Sequence, residues 1–103
     1  MMNKVTYNFS WEKNCQLISN RQISFEEVIS AIEDNCVLDV LKHPNDEKYC
    51  NQQIYIVEFN NYAYLVPFVI QGADEIFLKT VIPSRKATRK YLTLNRAKNE
   101  KKS

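Results

Sequence analysis

The stretch from Ile54 to Ile70 constrains the fold more than any other part of the chain. It is almost continuously apolar and is interrupted in the middle by Asn60-Asn61. Residues 54–59 and 62–70 are rich in β-branched and aromatic side chains. Two asparagines between them suit a tight reversal, because Asn accepts positive φ at modest cost. The pattern predicts an antiparallel hairpin. Pro67 cannot donate to a ladder, so its strand should meet an edge or a bulge there. Residues 71–75 contain Gly72, the only glycine, and predict a second reversal. Residues 76–82 predict a third strand, Pro83 ends it, and Ser84 can cap a last helix.

Upstream, Val5 to Phe9 alternates well enough for a short strand. Trp11, Cys15 and Ile18 recur at helical spacing, which predicts a helix over about residues 11–19 capped by Ser10. Ser24 and Glu27 have capping-box spacing, and Ile23 with Val28 forms a hydrophobic staple. A second helix is predicted over about 25–34, leaving through Asn35 in a left-handed conformation. Residues 36–41 can form a strand, and the polar stretch 42–51, with Pro44, a loop. The expected fold is α+β, with two N-terminal helices, a central antiparallel sheet of about four strands and a basic C-terminal helix. One domain is expected over residues 1–103, with 97–103 a frayed basic tail.

Hydrophobic residues make up 45% and charged residues 25%, which fits a folded domain rather than a disordered chain. No run of 18 apolar residues is present and the first residues lack a secretory h-region, so no membrane contact and a cytoplasmic location are expected. Cys15, Cys36 and Cys50 are odd in number and match no compact metal motif. With His43 as the only histidine they make no zinc set, and no metal or other cofactor is expected.

Charge is divided unevenly. Residues 1–75 carry 5 basic and 11 acidic side chains, a net of −6, whereas residues 76–103 carry 9 basic and 1 acidic, a net of +8. Arg85, Lys86, Arg89 and Lys90 crowd into one helical segment, where residues four apart share a face. Such a cluster can neutralise phosphates, or can simply be a solvated helix face. Lys79 lies within an apolar strand and by alternation should share a face with Phe77 and Val81. Tyr62 and Tyr64 share a strand face and can stack on bases beside positive charge, or be ordinary sheet packing. His43, in a polar loop, reads as a surface residue.

Three segments resemble the BrnT-like toxins of bacterial type II toxin–antitoxin systems. They are Trp11 to Lys13 with Asn14 nearby, the ISFEEV of residues 23–28, and the IPSRKATRKY of residues 82–91. The resemblance implies a RelE-like ribonuclease fold, cleavage of mRNA without a metal, and a small DNA-binding antitoxin as partner. It matches Arg85, Lys86, Arg89 and Lys13 to basic positions of the family. Together with the residue reading above, Arg85, Arg89, Lys79 and Lys13 are the expected catalytic residues, and Lys86, Lys90, Tyr62 and Tyr64 the expected RNA-binding ones. Family members commonly carry Lys-His-Gly before the SFEE-like segment. Here Asn20, Arg21 and Gln22 stand there, with Arg21 at the histidine position. At the family's strand arginine this chain has Thr80, with Lys79 one position away. Two functions follow as expectations: an endoribonuclease run by Lys and Arg, or a non-catalytic member of the same fold that grips nucleic acid or protein.

Overall fold

The computed structural model describes residues 5–45 and 47–93. Along the chain these form β1 (Thr6–Asn8), α1 (Trp11–Arg21), α2 (Phe25–Glu33), β2 (Val37–Lys42), β3 (Gln52–Phe59), β4 (Tyr62–Gly72), β5 (Glu75–Leu78), β6 (Ile82–Pro83) and α3 (Arg85–Ala87). The last element continues as a π-helical segment, Thr88–Thr93. The α+β class is as expected. The expected frayed tail at 97–103 lies outside the described residues.

The sheet is larger than the four antiparallel strands expected. It has six strands in the order β1-β5-β4-β3-β2, with β6 also paired to β4, and β1 runs parallel to β5. The hairpin of β3 and β4 forms as predicted, Phe59 facing Tyr62 across Asn60 and Asn61 with φ of 54° and 63°. Both central residues are left-handed, as the twist-matching hairpin turn requires.

Pro67 explains why the expected strand over 76–82 is broken in two. β5 pairs with β4 through Phe68 and Leu78, β6 through Leu65 and Ile82, and the register slips by one residue between them. Lys79 N–H reaches the Pro67 carbonyl at 2.8 Å. Nitrogen and carbonyl of one strand residue point to the same neighbour, so the missing Pro67 N–H falls where the ladder stops. The slip also changes faces. Phe77 remains on one side, whereas Val81 is fully buried in the core on the other, so Lys79 and Val81 do not share a face as alternation suggested.

The helices form where their caps dictate. The Ser10 side chain accepts from Lys13 N–H. Ser24 accepts from Glu27 N–H while the Glu27 carboxylate accepts from Ser24 N–H, a complete capping box. Asn35, φ 65°, provides the left-handed exit. One further contact locks the two helices together. Buried Asn14 of α1 accepts Phe25 N–H at 2.7 Å and donates to Glu26 at 3.1 Å. A free amide at the start of α2 is thereby satisfied by the neighbouring helix.

The sheet's two faces differ. Tyr55, Val57, Val66, Phe68 and Leu78 meet Leu17, Phe25 and Val28 of the helices in the main core. On the opposite face Ile56 and Ala63 pack under Ala87, with Leu38, Ile54, Leu65 and Tyr91 around them. That second cluster positions the basic segment.

Candidate nucleic-acid interface

The basic segment is held on the sheet by a short chain of hydrogen bonds. Ser84 caps α3, its hydroxyl accepting from Ala87 N–H at 3.0 Å. Ser84 N–H donates to the Ala63 carbonyl at 3.0 Å. Ala63 N–H donates to the Thr88 hydroxyl oxygen at 2.9 Å, and that hydroxyl donates to the Ser84 carbonyl at 2.8 Å. Both backbone groups of Ala63 are therefore committed to this segment, which fixes where its cations emerge.

A third anchor is Tyr91. Its hydroxyl donates to Asp39 Oδ2 at 2.7 Å, and Asp39 Oδ1 accepts Val40 N–H at 2.8 Å. One carboxylate thus ties the π-helical segment to β2, an edge strand of the sheet. The Tyr91 hydrogen bond, with the Val40 N–H behind it, holds the Asp39 carboxyl below its ordinary pKa. The same bond raises the Tyr91 phenol, since it stabilises the protonated form. Spacing along the chain gave no signal for this pair, which is 52 residues apart.

Arg85, Lys86, Arg89 and Lys90 all project into solvent. The segment is an ordinary helix only through Ala87, after which i→i+5 bonding widens the turn. Lys86 and Lys90 rim a groove of about 270 Å3, whose walls include Leu41, Ile56, Leu65 and Tyr91. Cations at the lip and apolar side chains below suit a phosphodiester chain with its bases turned inward. A second cleft, about 450 Å3, carries Glu27, Asp34 and Glu58 and has the wrong charge for phosphate.

The remaining candidates are not gathered here. Lys79 lies on the same face but toward its other end, with its amine 3.4 Å from Gln52 Oε1. Gln52 pairs with Val69, six residues along β4 from Ala63, or about 20 Å. Lys13 is on α1, which packs against the opposite face through Leu17. Tyr62 and Tyr64 do share a face, but it is the helix-covered one. Tyr64 packs there on the main core, and its phenol is raised by burial first and by Tyr62 and Glu27 after it. The tyrosines therefore do not stand beside the basic cluster. Strand alternation put them on one face without telling which.

His43 stands between β2 and the turn at Pro44 and Asn45, its Nδ1 accepting from Asn45 N–H at 3.0 Å and its ring 4.5 Å from Tyr49. No helix of the described residues is long and apolar enough to cross a membrane. Compared with family models, curated proteins and solved structures, the chain matches none.

Proposed function

We propose that this protein is the toxin of a type II toxin–antitoxin pair, a BrnT-like endoribonuclease with a RelE-like fold that cleaves mRNA without a metal and is held by a small DNA-binding antitoxin. One observation carries the reading: four exposed cations within six residues, on a segment pinned to the sheet by Ser84, Thr88 and Tyr91. Fixed cations favour RNA cleavage by placing the phosphodiester and by stabilising charge as the 2′-hydroxyl attacks phosphorus. The P–O5′ bond then breaks, the 5′-oxygen departing with a proton taken from solvent and leaving a 2′,3′-cyclic phosphate. Arg85 and Arg89 take the phosphoryl oxygens, and the 2′-hydroxyl proton passes to solvent. Lys86 and Lys90 hold the neighbouring phosphates.

A second reading is favoured by the positions of Lys79 and Lys13. Neither stands with the arginines, so the cluster can grip RNA without a side chain placed to move a proton. Purified protein, free of antitoxin, separates the two when incubated with single-stranded RNA with and without ribosomes. The toxin reading expects products ending in cyclic phosphate, and loss of about 100-fold or more in rate for Arg85→Ala. Expression of the wild type, but not of that variant, should arrest bacterial growth. Salt-sensitive binding with no products supports the second reading, and neither binding nor cleavage overturns both.

A further inference from the structure

α1 buries only Leu17 of its apolar residues, whereas an ordinary amphipathic helix turns its whole apolar stripe to the core. Its buried residues are Asn14 and Leu17. Trp11, Cys15 and Ile18, spaced to form one stripe, face out, with Trp11 66% and Ile18 50% exposed. Asn14 enforces this orientation. Rotating α1 to bury Trp11 would withdraw Asn14 from Phe25 N–H and Glu26, leaving an amide unpaired at the start of α2. Nor is the indole loosely held. It meets Phe9 edge-on at 4.8 Å, and Phe9 stacks at 4.9 Å on Phe25, which is fully buried. A large aromatic side chain fixed in the open is the kind of residue that anchors protein interfaces.

The surroundings select the partner's chemistry. Across both helices, residues 10–35 hold Glu12, Glu26, Glu27, Glu33 and Asp34 against Lys13 and Arg21. Glu12 follows Trp11 directly, and Glu26 stands beside α1 through its bond from Asn14. We propose that Trp11, Cys15 and Ile18 form the docking face for a basic amphipathic segment of a partner protein, its apolar side chains covering the stripe and its Lys or Arg residues meeting Glu12 and Glu26. This does not rest on the RNA reading, because the basic segment lies on the other face of the sheet.

Trp11 is the only tryptophan, so its emission reports coverage of this stripe alone. The probe is a synthetic helical peptide of leucine and lysine, with leucines at i, i+3, i+4 and i+7, titrated into the full chain. The control peptide replaces each lysine by glutamate. The lysine peptide should shift Trp11 emission to the blue in a saturable way. It should protect Cys15 but not Cys50 from alkylation, and bind several-fold more weakly at high salt. Ile18→Asp should abolish the shift with the thermal melt unchanged, and Glu12→Lys should weaken binding several-fold. Equal binding of the glutamate peptide overturns the proposal. So does a buried-type emission in the free chain, which would mean that its own residues cover the stripe. A blue shift that grows with protein concentration alone would make a second copy the occupant and also overturn it.

Discussion

On one face of the sheet, α1 and α2 exclude solvent completely from Phe25, Val28, Val57 and Val66. On the other, among the described residues, a short segment covers only the corner around Ile56 and Ala63 and leaves Leu41, on edge strand β2, 40% exposed. The first face is secured by a large buried apolar core, the second by a small apolar cluster and a few hydrogen bonds to Ala63 and Asp39. Stability and placement of charge are therefore separate tasks here. The helical face can be disturbed only at the expense of folding, whereas the cations can be changed with little effect on it.

That contrast can be broken or sharpened by substitution. The largest expected effect is on the helical face, where Phe25→Ala should cost about 3–5 kcal/mol in denaturant unfolding. Asn14→Ala should cost about 1–3 kcal/mol, because it leaves the buried Phe25 N–H unpaired. On the other face Leu65→Ala, at a half-buried position, should cost only about 1–2 kcal/mol. Equal losses for Phe25→Ala and Leu65→Ala would erase the distinction between the faces.

The smallest effect is that of Tyr91→Phe, and pH identifies its source. The native Asp39 pKa is lowered, so the pair's contribution is complete above the ordinary carboxylate value of about 3.9 and fades as pH falls through the lower native one. The native Tyr91 pKa is raised, so the contribution is complete below about 10 and fades as pH rises through the raised value. Wild type and Tyr91→Phe should therefore differ slightly in melting temperature near pH 7 and converge in strong acid and strong base. A difference that persists at both extremes would assign it to packing instead.

Much of the local structure was legible in the residues. Ser24 with Glu27, Asn60-Asn61, and Pro67 each act through backbone geometry within a few positions, and each does what its chemistry predicts. What depends on distant partners was not legible. The parallel pairing of β1 with β5 joins Tyr7 to Ile76, and no local pattern marks it. Helical spacing found Trp11, Cys15 and Ile18 but not that the stripe faces outward, because the deciding contact is Asn14 with the next helix. The basic cluster was visible as charge. Its separation from Lys13, Tyr62 and Tyr64 is a matter of sheet faces, which alternation alone leaves open.

The salt dependence of RNA binding tests most directly whether the sparsely covered face is the one that meets RNA. If Arg85, Lys86, Arg89 and Lys90 each neutralise one phosphate, log K against log salt for single-stranded RNA should have a slope of about −3. Neutralising all four should bring the slope close to zero, and Lys13→Ala should leave it unchanged. A steep slope surviving the fourfold change, or an equal loss from Lys13→Ala, would contradict the account.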